Sequence, residues 1–362
     1  MIAAFLRDEL RPSPGRTAAV GRMVVACLLT MLTVLLGRVP FGFLAVLFVL
    51  ALPRADSRST IRNGFDVIVA TVAGAALALL AFTLFADEPL LYFLSVVVRL
   101  FLAFFLTRTL VSGSSAFGFS IILIAALVVW DRPGFTVEGQ IETTVGTAIG
   151  MIVAILFAMG TEWAFAGASA DSTTSRSGPA SSMRSLFIED AFSNPDHMTF
   201  ALKGCLAATI CYVFYSVLAW PGMAVCTVTC VLAAPAGRVG TAQRKMWMRL
   251  AGLLAGGVVL GLGSQALVLP LVDSILGFSL VFSVACAAIA WIATASPRLS
   301  YASRPMAMGY LLTVFQRSGV NPSLLVTRDR LMGVLLGIVV MWLVVDRDWS
   351  MPFQARLRLE TR

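Results

Sequence analysis

Long runs of apolar residues, separated by short polar stretches, make up most of the chain. The four clearest runs cover residues 17–37, 67–85, 89–106 and 251–270, and each comes close to the roughly 20 residues that a helix needs to cross the hydrocarbon core of a bilayer. Apolar runs of this length with few charges are typical of transmembrane helices. The pattern therefore predicts an all-α, polytopic membrane protein.

The composition leads to the same conclusion. Of the 362 residues, 59% are hydrophobic and 13% are charged, whereas soluble domains carry about 25% charged residues. The usual soluble enzyme folds are therefore excluded. The net charge of +8 would suggest a nucleic-acid partner in a soluble protein. Here the basic residues collect in the loops between apolar runs, so no nucleic-acid partner is expected.

The apolar runs divide into about twelve helical segments on either side of a polar stretch, residues 167–197, whose Ser, Ala, Gly and Pro content is typical of a flexible linker. We divide the chain into a tail (1–16), a first transmembrane half (17–166), the linker (167–197), a second transmembrane half (198–347) and a second tail (348–362). The predicted segments are 17–38, 39–53, 65–86, 89–107, 113–130 and 140–166, and then 198–219, 221–236, 246–270, 274–296, 302–317 and 328–346.

Basic residues are distributed unevenly between the two sides of this arrangement. Most of the 27 Lys and Arg residues fall in the tails, the linker and the loops on one side. Because cytoplasmic loops of membrane proteins carry the excess of positive charge, both termini and the linker are predicted to be cytoplasmic. The first apolar run is too long for a signal peptide and is interpreted as a permanent helix.

The two halves repeat each other. Arg22 and Pro40 lie at the same separation as Lys203 and Pro221. The last segments share an acidic residue followed by two glycines at four-residue spacing: Glu142, Gly146 and Gly150, and Asp329, Gly333 and Gly337. Because each half has an even number of segments, the pattern predicts two parallel six-helix repeats around an axis normal to the membrane. Such repeats suit a central cleft and alternating access, and a duplication without a cleft is the alternative.

The second segment of each half is short and bounded by prolines. Pro40 and Pro53 enclose the first, Pro221 and Pro235 enclose the second, and Trp220 precedes the latter. A segment of about 14 residues rises about 21 Å, less than the roughly 30 Å of hydrocarbon. Short, proline-interrupted segments at corresponding places point to a transporter's binding site, so these five residues are candidate substrate-binding residues. The alternative is that the prolines only end two helices at tight hairpins.

Arg99 lies in the middle of the fourth predicted segment, within the stretch LYFLSVVVRLFLAFFLTR. An arginine at the centre of a membrane helix costs about 2.5–3.5 kcal/mol on insertion scales, and such residues normally face a bundle interior or a watery cavity. A guanidinium can bind a carboxylate through two parallel hydrogen bonds. We therefore interpret Arg99 as a binding residue for an anionic substrate, with a structural ion pair or a side chain that reaches the interface as the alternative.

Three acidic residues are candidates for proton coupling. Glu142 and Asp329 lie at equivalent positions at the extracytoplasmic mouths of the last segments, and Asp66 lies at the predicted start of the third segment. Carboxylates in such segments serve proton relays in transporters. A structural role is the alternative: Asp329 would pair with its neighbours Arg328 and Arg330, Asp66 would be a charge at a helix N-terminus, and the glycines after Glu142 and Asp329 would allow close helix packing.

Several kinds of chemistry lack their residues. The sequence has no GxxxxGK[ST], HExxH or GxSxG motif, so we expect neither an ATP-driven motor nor an enzyme. His197 is the single histidine, and the six cysteines lie in apolar stretches without the spacing of a metal site. Neither a metal nor a cofactor is predicted.

Four stretches of the second half resemble the fusaric acid resistance / aromatic acid exporter family of FUSC-type membrane proteins: FALKGCLAATICYVFYSVLAWPG (200–222), RLAGLLAGGVVLGLGSQ (249–265), AWIATASPRLSY (290–301) and TRDRLMGVLLGIVVMWLVVDRDW (327–349). The first half resembles a weaker copy of the same module, through GRMVVACLLTMLTVLLG (21–37) and the region around Gly74. The family's Arg-Asp-Arg stretch matches Arg328, Asp329 and Arg330, whereas Arg99 is singled out by its depth alone.

This resemblance implies a multi-pass protein of the bacterial inner membrane that exports aromatic carboxylic acids or related amphipathic xenobiotics and is driven by the proton gradient. Relatives commonly work with a periplasmic adaptor and an outer-membrane channel, and the chain could form a homo-oligomer. The larger members carry a sizeable cytoplasmic domain between their membrane halves. In this chain only the linker, residues 167–197, occupies that place, which leaves the need for an adaptor open.

Other functions stay open. An anion channel is the main alternative, because plant malate channels look like distant relatives of this superfamily, and a membrane subunit of a multidrug efflux complex is another. A major-facilitator transporter would carry a Gly-x-x-x-Asp-Arg-x-Gly-Arg-like signature after its second helix. Residues 52–64 (LPRADSRSTIRNG) lack that glycine spacing, so this alternative is disfavoured.

Overall fold

A computed structural model describes residues 15–51, 57–130, 136–165, 186–220, 224–233, 242–295, 299–316 and 319–346. These residues form twelve α-helices, six in each half. In the first half they are α1 (Arg16–Leu36), α2 (Phe43–Ala51), α3 (Ser57–Phe85), α4 (Pro89–Thr109), α5 (Gly113–Trp130) and α6 (Val137–Phe165). In the second half they are α7 (Pro195–Val217), α8 (Val225–Ala233), α9 (Ala242–Leu253), α10 (Ile275–Ala293), α11 (Ser300–Val314) and α12 (Leu324–Met341).

Some helices continue beyond these bounds in other forms. α9 runs on as π-helix through Leu254–Leu262 and Ser264–Val268, and α12 runs on as π-helix through Trp342–Asp346. A hairpin of two short strands, β1 (Phe315–Gln316) and β2 (Gly319–Val320), joins α11 to α12. The fold is thus the all-α, multi-pass membrane fold that the hydropathy predicts.

Seven of the described helices are long and apolar enough to cross a membrane. They are Arg16–Leu36, Asn63–Phe85, Pro89–Thr109, Val137–Phe165, Pro195–Val217, Met246–Leu271 and Ile275–Ala293. The prediction of about twelve transmembrane helices therefore exceeds what the described residues support.

The two short segments form helices that are shorter still. α2 and α8 have nine described residues each, which rise about 13 Å, less than the roughly 30 Å of hydrocarbon. Every side chain from Phe43 to Leu50 is buried, as expected for a helix that is apolar on all faces. α2 contacts α1 and α6 of its own half and α10 and α11 of the other, while α8 contacts α7, α12 and α5. The short helices therefore lie inside the bundle.

The helices that precede them, α1 and α7, end in the same way. Arg38 and Ala219 follow these helices, and both adopt the left-handed backbone conformation with φ of 48°. The amide of the next residue donates to the carbonyl five residues back, at 3.0 Å after α1 and 3.3 Å after α7. This is the hydrogen-bond pattern of a Schellman motif. Pro40 and Pro221 then prevent either helix from continuing.

The halves meet along two long helix pairs, in which α4 packs against α7 and α1 packs against α10. Within the second half, α9 approaches α11 very closely because glycines line the contact. A Cβ atom on Gly256 would lie 1.9 Å from the carbonyl oxygen of Met306, and one on Gly309 would lie 2.7 Å from the backbone nitrogen of Gly257. No larger residue fits at these positions without separating the helices.

The two ends of the bundle differ in their charges. Arg16 at the start of α1, Arg108 in the last turn of α4 and Arg249 on α9 lie at one end, which we call the basic end. The opposite end carries the α1–α2 and α7–α8 turns and the start of α12. These two names are used below without assigning a side of the membrane.

Candidate functional site

Arg99 lies in the middle of α4 with only 4% of its surface exposed. Its Nε donates to the carbonyl oxygen of Ser95 at 3.2 Å, and its Nη2 donates to Ser95 Oγ at 3.0 Å. The guanidinium carbon lies 5.4 Å from the centre of the Tyr92 ring. The side chain is therefore folded back along its own helix towards the opposite end, and an aromatic ring faces its positive charge.

The helix that carries Arg99 packs against α7 of the second half. Gly204 permits the contact, because a Cβ atom there would lie 2.3 Å from Phe104 Cδ1. Cys205 Sγ donates to the carbonyl oxygen of Val97 at 3.3 Å. This places Arg99 in the helix pair that joins the two halves.

Aromatic rings lie together on the same helix pair. The Phe93 and Tyr212 rings are 6.2 Å apart, and the Tyr212 and Tyr215 rings are 5.4 Å apart in an edge-to-face arrangement. Tyr92, Tyr212 and Tyr215 belong to one buried cluster that spans α4 and α7. The α4–α7 contact thus combines a buried cation with flat aromatic surfaces.

The other long contact between the halves has a different middle. The side chains of Cys27 on α1 and Cys286 on α10 are neighbours, and both are buried. The sequence of α10 contains no charged residue. α10 therefore has no cationic side chain at the depth at which α4 carries Arg99.

The glycines of α6 and α12 contact the short segments. Cβ atoms on Gly146 and Gly150 would each lie 2.8 Å from the first short segment, from Pro40 Cδ and Val39 Cγ1 respectively. Thr147 Oγ1 also donates to the carbonyl oxygen of Pro40 at 3.0 Å. The spacing predicted for close packing therefore serves the α1–α2 turn in the first half.

In the second half, Gly333 and Gly337 are both buried. A Cβ atom on Gly337 would lie 2.6 Å from the carbonyl oxygen of Cys226 and 2.8 Å from Thr229 Cβ, both on α8. The same spacing therefore packs α12 onto the other short helix.

The prolines that bound the short segments are described only in part. Pro40 is half-buried, while Pro53, Pro221 and Pro235 lie outside the described residues. Trp220 is 37% exposed and lies beside the side chain of Asp329. The α7–α8 turn and the start of α12 therefore meet at the opposite end of the bundle.

The residues of the Arg-Asp-Arg stretch make two separate sets of contacts. Arg328 and Asp329 form an ion pair at 2.8 Å. Arg330 is buried, and its Nη1 donates to the carbonyl oxygens of Leu312 and Phe315, which caps the end of α11. Arg330 therefore serves helix capping, and Arg328 is the neighbour that pairs with Asp329.

The other two acidic candidates lie apart from each other. Glu142 is exposed in the second turn of α6. The sequence predicts Asp66 at a helix start, but α3 already begins at Ser57. The helix includes the polar residues that precede the apolar run. Hydropathy marks the apolar part of such a helix and misses the polar turns in front of it. The structure does not bring Glu142, Asp329 and Asp66 together.

Glu162 is a buried carboxylate that the sequence analysis missed. It lies near the end of α6 with 3% of its surface exposed, and its Oε2 is 3.1 Å from Arg22 Nε on α1. Among the described residues it is the only buried acidic side chain. Arg22 and Glu162 both lie near the ends of predicted transmembrane segments. A charged residue without an assigned role at such a place is the sequence signal that could have pointed to this ion pair.

A buried polar network also escaped prediction. Thr327 Oγ1 donates to Gln265 Oε1 at 2.9 Å, and Asn321 Nδ2 donates to Thr327 Oγ1 at 2.9 Å and to the carbonyl oxygen of Thr313 at 3.1 Å. Gln265 Nε2 donates to the carbonyl oxygen of Asn321 at 2.8 Å. The network fixes the end of α9, the hairpin and the start of α12, which is a structural role.

Comparison with known proteins relates this architecture to a family. Residues 26–157, from α1 into α6, match the family model described as fusaric acid resistance protein-like. The similarity to this family therefore lies in the first half of the chain. The matched residues include Arg99, Glu142, Gly146 and Gly150, whereas the family motifs quoted from the sequence lie mainly in the second half.

Curated proteins that are similar to the chain carry the name multidrug resistance protein. The multidrug resistance protein MdtO of Escherichia coli K12 is 37% identical over 161 residues, which are 44% of this chain and 23% of MdtO. MdtO of Shigella flexneri is 36% identical over 163 residues, 45% of this chain and 24% of that protein. The alignment thus spans about a quarter of the length of these relatives. No solved structure matches the chain.

Proposed function

We propose that this chain exports aromatic carboxylic acids or related amphipathic xenobiotics across a bacterial inner membrane, as a secondary active transporter driven by the proton gradient. The observation that carries the proposal is Arg99, a cation buried in the contact between the two halves with the ring of Tyr92 facing it. Buried intramembrane arginines of this kind mark substrate pathways. The relatives' name, multidrug resistance protein, supports an efflux role.

The chemistry of the site suits a ligand with a ring and a carboxylate. The guanidinium of Arg99 offers a planar edge that pairs with a carboxylate through two parallel hydrogen bonds. Such a ligand would replace Ser95 as the partner of Nη2. The rings of Tyr92 and Tyr212 offer flat apolar surfaces for an aromatic substrate. Charge and rings together favour an amphipathic anion over a neutral or cationic drug.

Alternating access would use the two halves, 17–166 and 198–347, as parallel six-helix repeats joined by the linker 167–197. Three observations support this arrangement. Helices follow in the same order in both halves, with a nine-residue helix second in each. α1 and α7 end in the same Schellman motif. The contact of α4 with α7 is matched by that of α10 with α1, and the contact of α2 with α11 by that of α8 with α5.

Orientation and coupling complete the proposal. The basic end would face the cytoplasm, following the distribution of Lys and Arg, and both tails, 1–16 and 348–362, would lie there. Glu142 and Asp329 would then stand at the extracytoplasmic end, where they could take up protons. Asp66 and the buried Glu162 would stand near the cytoplasmic end, where protons would be released during export. The candidate coupling residues therefore lie at both ends of the bundle.

Partners remain part of the proposal. A periplasmic adaptor and an outer-membrane channel would carry the exported anion beyond the inner membrane, and a homo-oligomer would be one form of the assembly. An anion channel and a membrane subunit of a multidrug efflux complex are the other outcomes that the following test separates.

The test uses inverted membrane vesicles and radiolabelled 4-hydroxybenzoate. Vesicles with the unchanged chain should accumulate the label, an uncoupler should abolish the accumulation, and Arg99→Ala should reduce it strongly. Arg38→Ala, which removes an exposed arginine and leaves the residue found at the equivalent position after α7, Ala219, is the matched control and should retain uptake. Flux that follows the substrate gradient despite the uncoupler would instead indicate a channel. Uncoupler-sensitive uptake that is unchanged in Arg99→Ala would move the site away from α4.

A further inference from the structure

A second cation of the α4–α7 contact lies at the basic end, in the last turn of α4. The guanidinium carbon of Arg108 is 4.9 Å from the centre of the Phe200 ring on α7, and the arginine is half-buried. In the part of the chain that the structure describes, Arg108 forms neither a hydrogen bond nor an ion pair. A ring face compensates a partly desolvated cation only in part, so the guanidinium keeps its hydrogen-bond donors for a ligand.

The equivalent cation on the other long contact is held differently. Arg16 also lies over a ring, that of Trp291, with the guanidinium carbon 4.5 Å from the ring centre. Its Nε donates to Thr294 Oγ1 at 3.3 Å, and its Nη2 donates to the carbonyl oxygen of Trp291. These bonds fix Arg16 to the end of α10. Of the two cation–ring pairs, the one at the α4–α7 contact therefore has its donors available.

Aromatic rings line the side of α4 that carries Arg108. Three phenylalanines precede the arginine by seven, four and three residues, namely Phe101, Phe104 and Phe105. This spacing places all of them on the same side of the helix as the arginine. The Phe101 and Phe105 rings are stacked with centres 6.0 Å apart. Phe104 meets Phe200 edge to face at 6.3 Å.

A short segment before α7, residues 186–194, supplies two more rings. Phe187 pairs with Leu110 in an antiparallel β-bridge, which fixes the segment to the chain just after α4. The ring centre of Phe192 is 5.8 Å from that of Phe105 and 5.4 Å from that of Phe187. Because 79% of Phe192 is exposed, its ring forms the outer edge of this aromatic surface.

The carboxylates of the same segment do not neutralise Arg108. Asp190 accepts a hydrogen bond from Asn194 Nδ2 at 3.1 Å and lies 3.3 Å from His197 Nε2. Glu189 is exposed, and none of the acidic residues that the structure describes forms an ion pair with Arg108. The end of α4 therefore presents an unneutralised positive charge beside a set of rings.

This aromatic surface continues towards Arg99. Phe101, Phe105 and Phe200 are half-buried, and they pack against the buried cluster that contains Tyr92. The two arginines are nine residues apart on the same helix, a distance of about 13 Å along its axis. Aromatic and apolar side chains therefore connect the two guanidinium groups.

We propose that Arg108 and the phenylalanine rings beside it form an entry site at the basic end, where the aromatic carboxylate binds before it reaches Arg99. The rings are those of Phe105, Phe192 and Phe200. The carboxylate takes the available donors of the guanidinium, and the ring of the ligand lies on the phenylalanine surface. The inference rests on the proposed function for the identity of the ligand.

Photolabelling tests this site without requiring transport. The purified full chain, in phosphatidylcholine nanodiscs, is irradiated with radiolabelled 4-azidobenzoate, and the labelled peptides are identified by mass spectrometry. The peptide that contains Phe192 should carry label, and Arg108→Gln should reduce it there by about tenfold or more, because hydrogen bonds to a charged group are lost. The neutral analogue 4-azidobenzamide should label this peptide less, because it lacks the carboxylate.

Two variants control for the charge. Arg108→Lys, which keeps the charge, should recover part of the lost label. Arg16→Gln, which removes the cation at the same end of the other contact, is the matched control and should leave the label at Phe192 unchanged.

Uptake of 4-hydroxybenzoate into inverted vesicles shows whether binding at this site leads to transport. Arg108→Gln should raise KM by about tenfold and change the maximal rate by about twofold or less, because the entry site acts before the step that Arg99 serves. Phe192→Ala should raise KM by about threefold, since it removes one ring contact. Arg16→Gln should leave KM unchanged.

The outcomes separate this inference from the proposed function. No label in the Phe192 peptide, label that Arg108→Gln does not reduce, or an equal loss in Arg16→Gln would overturn the entry site and leave the proposed function intact. Label that depends on Arg108 without any uptake by the unchanged chain would support the site and overturn the proposed function for this class of ligand. Label that depends on Arg108 with an unchanged KM would show that loading does not use the site.

An anionic lipid is the other ligand that an arginine at this depth attracts. Native mass spectrometry of the chain in phosphatidylglycerol nanodiscs counts the retained lipids. If Arg108→Gln releases a phosphatidylglycerol molecule and leaves the azidobenzoate label unchanged, the cluster is a lipid site and the entry role is wrong. Size-exclusion profiles and thermal midpoints of the variants show whether a loss comes from misfolding.

Discussion

The two long contacts between the halves, α4 with α7 and α1 with α10, begin alike at the basic end. Arg108 lies over the Phe200 ring at 4.9 Å in the first contact, and Arg16 lies over the Trp291 ring at 4.5 Å in the second. Each contact therefore has a cation on an aromatic face where the bundle meets the polar phase. Such pairs are suited to the membrane interface, since one part is apolar and the other is charged.

The middles of the two contacts differ. The α4–α7 contact buries Arg99 with Ser95, whereas the α1–α10 contact brings Cys27 against Cys286. Buried thiols pack like small apolar groups, while a buried guanidinium is costly in a membrane. A costly residue in only one of two similarly built contacts supports the proposal that this contact carries the specificity. The other contact would then serve as its structural counterpart.

Removing the charge should separate the two contacts most sharply. Arg99→Leu should lower hydroxybenzoate uptake by about 30-fold or more, because the carboxylate loses its charged partner. Cys286→Ala on the other contact should change uptake by about twofold or less, because only a small packing group is lost. Initial rates in inverted vesicles measure both. Equal losses in the two variants would show that the contacts are not functionally distinct.

Fixing the α1–α10 contact should stop transport without touching Arg99. A variant that keeps only Cys27 and Cys286 should lose most of its uptake after oxidation to the disulfide and regain it with dithiothreitol, because the bond ties the two halves together. The matched control keeps only Cys211 and Cys230, whose sulfur atoms are 3.6 Å apart within the second half, and should retain more uptake after oxidation. Full uptake by a chain shown by mass to be cross-linked between the halves would contradict movement at this contact.

The ion pair between Arg22 on α1 and Glu162 on α6 is largely buried, whereas the pair between Arg328 and Asp329 on α12 is more exposed. The two pairs should therefore differ in how much they stabilise the fold. Glu162→Gln should lower the free energy of unfolding by about 2–3 kcal/mol, because Arg22 loses its carboxylate partner in a largely buried site. Arg328→Gln, which breaks the exposed pair with Asp329, should cost less than about 1 kcal/mol. Thermal unfolding in detergent compares them. An equal shift in both variants would mean that the Arg22–Glu162 pair is effectively solvated.

The smallest effect is expected just before α7, at the basic end of the α4–α7 contact. Hydrogen bonding from Asn194, with a further contribution from His197, lowers the pKa of the Asp190 carboxyl. Such a carboxyl stabilises the fold above its unfolded pKa of about 3.9, and this contribution disappears as the pH falls through the lower, folded value. Asp190→Asn should therefore lower the thermal midpoint by about 1 °C at pH 7. The difference should shrink as the pH falls through the folded value, and a difference that grows in acid would contradict this sign.

Local features of the fold could be predicted from the sequence because they depend on neighbouring residues. The equal spacing of Arg22 to Pro40 and of Lys203 to Pro221 anticipates two short helices, and the structure has α2 and α8 there with matching turns before them. Apolar runs located the long helices for the same reason. The predicted start of α3 is wrong because the first turns of this helix are polar and hydropathy does not mark them. For the same reason Asp66 is predicted at a helix start.

Long-range contacts could not be predicted in the same way. Arg22 and Glu162 are far apart in the chain, and only the packing of α1 on α6 brings them together. Arg99 could be recognised by its depth, but nothing local showed that its partner helix is α7 of the other half. The same holds for Arg108 over the Phe200 ring. Such contacts depend on the arrangement of whole helices, which a single sequence does not specify.

The most direct measurement is a bound structure of the full chain with an iodinated hydroxybenzoate, whose iodine position is located by anomalous scattering. We expect a peak beside the rings of Tyr92 and Tyr212 in the α4–α7 contact, with the carboxylate on Arg99. A peak in the α1–α10 contact near Cys286, with none beside Arg99, would contradict the claim that the α4–α7 contact holds the substrate.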